Sequence, residues 1–574
     1  MSIKAVMTPP PPAPRDALAC LRLLVAAWLV TWMTAALADG AADRAALRAL
    51  LAQPHIVVDG VPIHAAPVLR ALYAARDYAP LWRAETRDAL VRAAAASLHD
   101  GLDPADYPTP DRPIDATLAP ADRARLEVVL GESLARLAYS LRFGKANPRA
   151  LDPDWNFARG FGDADPVTWL ADAIGAGDPA RALEALRPQS PYYQALKDAL
   201  AAERLRLAEP WIALPPGPSL KPGARDPRVN ALRARLRPTD AATVAEPELF
   251  DPALVADVQA FQRRHGLAED GIVGRATLAA LNTPPAARVE TLRVNLERIR
   301  WIFHALDPVF VAINIAAFHG VLFDHGTITW ESRVVVGRPY RRTPSFRSAI
   351  DVIELNPTWT VPPTILAQDI LPAQRRDPRT LAKKKLQVLD RNGRTVDPAT
   401  VDWQVPARQF PYVLRQPPGP DNALGRIKFL FPNAHAVYLH DTPARDLFAL
   451  PARSFSSGCI RLEQPFTLAE RLLADDPAWS PAALATAIDS GKRQRIRLAR
   501  PLPILLLYLT AFPDPDGALH YRADLYGRDP AVAAALAAPF QFNAPADYRV
   551  PESRTGGAGT GARREDVAPR APSP

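Results

Sequence analysis

Cysteine is nearly missing from this chain: its 574 residues contain two, Cys20 and Cys459. That excludes a disulfide-stapled architecture and any cluster of metal-binding thiolates. The ten histidines include no HExxH-type pair, which argues against a zinc peptidase, and neither a metal nor another cofactor is expected. Charge of one sign is lacking as well. Lys and Arg number 69 against 61 Asp and Glu, a net charge of +8 with few dense runs, so no nucleic-acid partner is expected and a carboxylate-rich polymer suits the balance equally well. Long apolar runs are also scarce. Lys4, Arg15 and Arg22 precede the apolar stretch 23–36, which is shorter than the ~20 residues of a comfortable membrane span. It ends in Ala36-Leu37-Ala38 before Asp39, the small-x-small pattern of signal-peptidase cleavage, so residues 1–38 read as an export signal and the location as periplasmic. An uncleaved signal anchor is the alternative, and only then would the chain meet a membrane. Cys20 lies ahead of the apolar run. Cleavage removes it and leaves 574 − 38 = 536 residues with a single thiol.

Proline, by contrast, is abundant at 62 residues, above the ~5% expected, so loops and linkers must be numerous. The length suggests about four domains. Residues 43–208 read as helical: Leu126, Leu130, Leu134, Leu137 and Leu141 line one helix face, and Tyr73, Tyr78, Leu81 and Trp82 mark another packed element. The Pro- and Gly-rich stretch 209–227 reads as a linker. In the compact unit 228–282, Asp251 can cap a helix with Pro252 at its first position, and Leu254, Val255, Val258 and Phe261 form its buried stripe. Residues 288–303 form an amphipathic helix on Val289, Leu292, Leu296, Ile299 and Phe303, expected to pack on the domain that follows. From Val309 the period changes to that of strands, over 309–315 and 332–337. Asn356 to Pro363 interrupts the sheet. The polar insertion 366–410, carrying Lys383-Lys384-Lys385 and Trp403, is a candidate lid over a site, with a merely decorative excursion as the alternative. The tail 551–574 is read as disordered. The fold class expected is a multidomain α+β protein.

Chemistry concentrates in two segments. In a strand Val437-Tyr438-Leu439-His440, side-chain alternation puts the phenol of Tyr438 and the imidazole of His440 on one face, with Val437 and Leu439 buried on the other. Cys459 follows 459 − 440 = 19 residues later in Ser456-Ser457-Gly458-Cys459-Ile460-Arg461, and Gly458 permits a tight approach to His440. A thiol of pKa ~8.5 is only a few per cent thiolate at neutral pH. A neighbouring imidazole and guanidinium both favour the thiolate. Backbone N–H groups at Gly458 and Cys459 could form an oxyanion hole. No side chain fills a third triad position. A backbone carbonyl near Asp441 could orient the imidazole, because Asp441 itself points to the opposite face.

Two stretches carry family resemblances. Phe261-Gln262-Arg263-Arg264-His265-Gly266-Leu267, Asp270-Gly271-Ile272-Val273-Gly274 and Thr277 to Asn282 resemble the three-helix peptidoglycan-binding domain appended to many cell-wall enzymes. Tyr438 to Pro443 together with Ser456 to Arg461 resemble the signature of the L,D-transpeptidase catalytic domain, the cysteine enzymes that cross-link bacterial peptidoglycan. Segments 356–362, 415–425 and 428–433 agree, and the whole is similar to the large periplasmic subfamily that joins a helical scaffold, a peptidoglycan-binding domain and a lidded, mostly-β catalytic domain, here 288–530. One departure is Ser457, where many members have histidine. The resemblance implies that Cys459 attacks the bond to D-alanine in a tetrapeptide stem, that His440 moves the proton, and that a second stem's amine resolves the thioester into a 3→3 cross-link. It implies supporting roles for Arg461, Tyr438 and Gly458, and contacts to substrate from Trp359, Asn422, Gly425, Ser457 and Trp403. It also admits other cell-wall synthesis enzymes as partners. Hydrolysis as an L,D-carboxypeptidase, transfer to a lipoprotein lysine or a free D-amino acid, and a non-catalytic wall-binding scaffold remain open at this point.

Overall fold

The computed structural model describes residues 40–542 apart from 116, 158, 162–164, 238–243 and 305. The export signal and the disordered tail expected from sequence lie outside the described residues. Among those described, no helix is long and apolar enough to cross a membrane.

The helical region is built around α1 (Pro120–Phe143), whose Leu126, Leu130, Leu134, Leu137 and Leu141 are all buried. Polar groups are buried on α1 too, among them Glu127, Glu132 and Arg136. Glu127 accepts hydrogen bonds from the Tyr73 hydroxyl at 2.6 Å and from the N–H groups of Leu81 and Trp82 at 2.9 and 3.1 Å. One buried carboxylate thereby ties the aromatic element 73–82 to the central helix. The region ends in α2 (Pro191–Leu205), capped by Ser190.

In the small domain, Asp251 accepts from the Leu254 N–H at 2.8 Å and starts α3 (Pro252–Arg264), which ends before Gly266 with its φ of +64°. α4 (Arg275–Leu281) follows the tight turn at Gly271. Leu214 and Leu220 sit in the same apolar core as Val229, Leu254 and Val258, and Leu220 exchanges backbone hydrogen bonds with Val273 at 3.2 and 3.0 Å. Part of the stretch expected to be linker is therefore folded onto this domain. Proline and glycine forbid regular ladders there, but they do not prevent two leucines from being buried.

α5 (Pro285–Ile302) joins the regions. Leu292, Leu296 and Ile299 pack with Leu196 and Leu200 of α2 and with Leu509 and Ala511. Val294, Trp301 and Ile302 enter the scaffold core on its other side. The helix is thus held from two sides, not only by the domain that follows it. Its buried Arg300 is neutralised by Glu297 at 2.6 Å and donates to the Asp100 carbonyl at 2.7 Å.

The C-terminal region is a mixed sheet of β1 (Val309–Asn314), β2 (His319–Asp324), β3 (Thr327–Gly337), β4 (Arg347–Leu355), β5 (Ile427–Leu430), β6 (Leu439–His440), β7 (Ser454–Ser456), β8 (Ile460–Leu462) and β9 (Gln494–Leu507). The strand order is β7-β3-β8-β6-β5-β4-β9-β1-β2, and β2 pairs back onto β3, so the ladder closes on itself with β7 as an addition. One face of the β4–β5–β6–β8 stretch is apolar: Ile353, Leu355, Ile427, Phe429, Leu439, Ile460 and Leu462 are buried together. Side-chain alternation then sends their neighbours to the opposite face.

The insertion between β4 and β5 is a folded unit. Trp359–Thr360, Val413–Gln416, Gln387–Leu389 and Thr395–Val396 form a separate small sheet over a core of Val361, Ile370, Leu381, Val388 and Leu414. Its sheet draws in residues on both sides of 366–410.

Candidate active site

The expected strand 437–440 pairs only at Leu439 and His440. The backbone of Val437 is taken instead by the Asn433 side chain, at 3.0 Å to its N–H and 2.8 Å to its carbonyl. Ala436 just before it holds a left-handed φ of +52°. That uncommon geometry aims the Ala436 carbonyl at the thiol, and Cys459 Sγ lies 3.7 Å from it.

β6 and β8 run parallel with Leu439 opposite Ile460 and His440 opposite Arg461. Stepping back one residue puts Tyr438 beside Cys459, and the Ile460 N–H donates to the Tyr438 carbonyl at 3.1 Å. Tyr438, His440, Cys459 and Arg461 thus share one sheet face. The thiol's direct neighbour is Tyr438, and His440 stands diagonal to it. This corrects the expectation that Cys459 sits against His440: a parallel register pairs 459 with 438 and 461 with 440. The Tyr438 backbone and side chain both favour the Cys459 thiolate. The Tyr438 and His440 rings meet edge to face with centroids 5.5 Å apart.

His440 is buried, and its Nδ1–H donates to the Asp441 carbonyl at 2.5 Å. A carbonyl can only accept, so the neutral ring carries its proton on Nδ1 and leaves Nε2 as the basic nitrogen. Burial first, then the Arg461 and Lys428 charges, push the imidazole down to about 3, against the pull of the Asp441 and Leu424 carbonyls. The Asp441 side chain faces away, accepting the Arg426 N–H at 2.9 Å. Burial raises the Cys459 thiol, opposed by Tyr438, Lys428 and Arg461.

The catalytic loop is tightly wired. Gly458 holds φ at +117°, which a side chain would strain. Its carbonyl accepts from the Thr343 hydroxyl at 2.8 Å, and its N–H donates to the Ser456 hydroxyl at 3.1 Å. The Gly458 N–H is therefore already engaged, and only the Cys459 N–H of that expected pair remains as an oxyanion donor. Ser457 accepts from Arg341 at 2.8 Å, and the same guanidinium grips Asp369 at 2.5 Å and Gln368 at 2.7 Å in the insertion. Arg341 thus links Ser457 of the loop to the insertion.

Other expected contact residues lie elsewhere. Asn422 is buried and spends its amide on the Pro357 and Pro417 carbonyls and the Leu424 N–H, so it shapes the loop instead of facing substrate. Gly425 has φ +61°, and a Cβ there would stand 2.3 Å from Asp441 Oδ2. Trp403 packs on Phe410 inside the lid and donates to the Pro398 carbonyl at 3.1 Å, because an apolar indole serves the lid's own core. Trp359 is half-buried against the same core.

Two features escaped the sequence reading. Lys428 of β5 lies in register with His440 on one side and Glu354 of β4 on the other, and its ammonium sits 4.0 Å above the centre of the Tyr438 ring. Alternation within Ile427–Leu430 could have placed it on the His440 face. Two residues along the strands, Asp351, Val352, Leu430, Arg495 and Arg497 line a groove of about 470 Å³, with Arg497 3.9 Å from Asp351. The Arg461 guanidinium has a buried Nε without a hydrogen-bond partner. Among the described residues no group of three or more His, Cys, Asp or Glu could hold a metal ion.

Comparison with known proteins finds matches along three regions of the chain. Residues 67–200 match the family model of a scaffold domain, residues 225–281 that of a "Putative peptidoglycan binding domain", and residues 308–479 that of the L,D-transpeptidase catalytic domain. A "Putative L,D-transpeptidase" of Haemophilus influenzae is 36% identical over 240 residues, which are 42% of this chain and 48% of the relative. The match thus spans about half the length of that curated relative. A solved structure titled as the Ldtfm-avibactam carbamoyl enzyme is 12% identical over 35% of this chain and 49% of its own, and its TM-score of 0.17 carries no argument. Every residue of the Tyr438, His440, Cys459 and Arg461 quartet falls within the third matched region. Three regions of the chain are thus similar, in order, to a scaffold domain, a peptidoglycan-binding domain and the L,D-transpeptidase catalytic domain.

Proposed function

We propose that this protein is an exported L,D-transpeptidase that forms 3→3 cross-links between peptidoglycan stems through a Cys459 acyl-enzyme. The observation that carries the reading is the placement of Cys459, a thiol on a sheet face with a phenol, an imidazole of fixed tautomer and unpaired cations around it. In the first half-reaction the thiol proton passes to His440 Nε2 as sulfur attacks the carbonyl between the L-centre of the diamino acid and D-alanine. The C–S bond forms, the C–N bond breaks, and the proton leaves with the D-alanine amine. In the second, the side-chain amine of another stem attacks the thioester. Its proton goes to His440, the new C–N bond forms, and the thiolate departs. The Cys459 N–H and the Tyr438 hydroxyl are the donors positioned for the oxyanion. Arg461, with its unpartnered Nε, suits a stem carboxylate, and the Arg495–Arg497 groove suits a second one. The peptidoglycan-binding domain supports the wall as the working surface. Periplasmic action rests on the export pattern of residues 1–38.

Incubation of the purified protein with tetrapeptide muropeptides, read by mass spectrometry, tests this. Cross-linked dimers with released D-alanine, absent in Cys459→Ala, are expected. Tripeptide monomers without dimers would replace cross-linking by hydrolysis.

A further inference from the structure

Lys428 has an unusual setting for an ammonium. It is half-buried on the sheet face that carries the quartet, pressed on the Tyr438 ring at 4.0 Å. Its in-register carboxylate, Glu354, is buried and held by Arg493 at 2.5 Å, with Arg495 at 3.9 Å. Among the described residues no ion pair within 4 Å reaches Lys428, and Glu354, the first charge that attracts it, is already engaged by the two arginines. A partly desolvated cation of that kind needs a counter-ion nearby. The next anion that attracts it is the sulfur of Cys459, on the strand beyond His440 and beside the same Tyr438 ring. Lys428 and Cys459 attract one another.

We propose that Lys428 is the counter-charge of the Cys459 thiolate: its ammonium stabilises the sulfur anion left when the thiol proton passes to His440, which holds that proton only in transit to the leaving amine and is otherwise neutral. The inference rests on Cys459 being the nucleophile. The arrangement explains why two cations flank His440: Lys428 and Arg461 lie in register on either side of it, disfavour an imidazolium, and favour a thiolate. The groups that face the sulfur are Tyr438 and His440 from β6, Lys428 from β5, Glu354 from β4 and Arg461 from β8, with Arg338 acting on Arg461 from the loop after β3. Of these, His440 is the one that would ordinarily titrate near neutrality. A thiolate–imidazolium pair would therefore add an acid inflection that a thiolate–ammonium pair lacks.

The test is the pH profile of Cys459 alkylation by iodoacetamide on the full-length protein, followed by whole-protein mass spectrometry with Cys459→Ala as the blank. It needs no peptide, so it is read independently of the muropeptide assay, and failed cross-linking with an intact profile would overturn only the transfer reaction. Wild type should show a single ionisation without an inflection near pH 6.5. Lys428→Met should move the midpoint up by about one unit or more, as expected for loss of an opposite charge at close range. A higher thiol pKa also makes a better nucleophile, so the rate at neutral pH should fall only about threefold per unit, and the midpoint decides. Lys428→Gln serves if the methionine variant fails to fold, and Lys428→Arg should restore the wild-type midpoint. An unchanged midpoint in both the methionine and glutamine variants, or a wild-type inflection near 6.5 that vanishes in His440→Gln, would overturn the proposal.

Discussion

Arg341 is the hinge point between the lid and the catalytic loop, and its removal tests whether the insertion 359–416 is docked or merely adjacent. Its guanidinium donates to both Asp369 oxygens at 2.5 and 3.1 Å, to Gln368 at 2.7 Å and to Ser457 at 2.8 Å. The arginine side chain is 9% exposed and Asp369 is 40% exposed. A shielded bond to a charged partner contributes about 1.5–3 kcal/mol, and a fully exposed pair about 0–1. With one partner shielded and the other half in water, Arg341→Ala should weaken lid docking by about 1.5–2 kcal/mol, an equilibrium shift of about 10- to 30-fold. Hydrogen exchange followed by mass spectrometry is the assay. Amides of the helical stretch 366–376 should exchange faster by that factor where exchange proceeds through lid opening. Those of β1, in the sheet core, should not change. Asp369→Asn should produce part of the same acceleration, and the double variant should add little to Arg341→Ala, because both remove one contact. Unaltered exchange in both single variants would refute the latch, and equal acceleration in β1 would mean the sheet itself had loosened.

Further outcomes follow from other contacts. Gly425→Ala forces a Cβ to 2.3 Å from Asp441 Oδ2 at a φ of +61°, so urea denaturation should show a loss of about 2–4 kcal/mol; a change under 0.5 kcal/mol would be inconsistent with the packing. Thr343→Val removes the buried hydroxyl that joins the Gly337 N–H to the Gly458 carbonyl, at 2.9 and 2.8 Å. It should cost about 1–3 kcal/mol and slow acylation of Cys459 by a carbapenem, measured as adduct formation. His265 and His440 are pushed down to about 3, and His304 to about 4, in each case chiefly by burial. Their unfolded counterparts take up protons first, near pH 6.5, so stability is full above that pH and is lost as pH falls from 6.5 towards 3, by up to about 1.4 kcal/mol per pH unit for each ring. Urea midpoints at pH 7 and pH 5 should differ accordingly, and His304→Gln should flatten the slope.

The elements were legible in the sequence wherever one local rule acted alone. The leucine stripe of α1, the Asp251 cap of α3 and the alternation that joins Tyr438 to His440 needed only periodicity and capping chemistry. What stayed hidden depended on alignment between distant segments. Nineteen residues separate His440 from Cys459, but that spacing does not say whether 459 or 461 stands opposite 440, and the parallel pairing chose 461. Lys428 was visible as a residue and invisible as a neighbour, because its place beside His440 arises from strand pairing across a loop. Arg341 and Ser457 lie 116 residues apart, so no local pattern couples them. Trp403 misled for a different reason: tryptophan suits a pocket wall and a small core equally, and the insertion's apolar residues were too scattered to announce a core.

The charged row on the open face is set by the apolar face beneath it. Phe429 lies opposite both Ile353 and Leu439, and Leu439 opposite Ile460, all buried. A slip of β6 by one residue against β5 would drive His440 into that core and expose Leu439, and a slip of β5 would do the same to Lys428 and Phe429, which the hydrophobic loss alone forbids. The register that brings Lys428, Tyr438 and Cys459 together is therefore fixed by residues with no polar chemistry of their own. Residues of this core should be able to disturb the thiol without touching it: a truncation such as Phe429→Ala would loosen the pairing that aligns Lys428 with His440. Its thiol alkylation midpoint should then move towards that of Lys428→Met, with the charge still present. An unchanged midpoint in a destabilised Phe429→Ala protein would show instead that flanking pairs hold the register, and that the active-site row is pinned more redundantly than its short strands suggest.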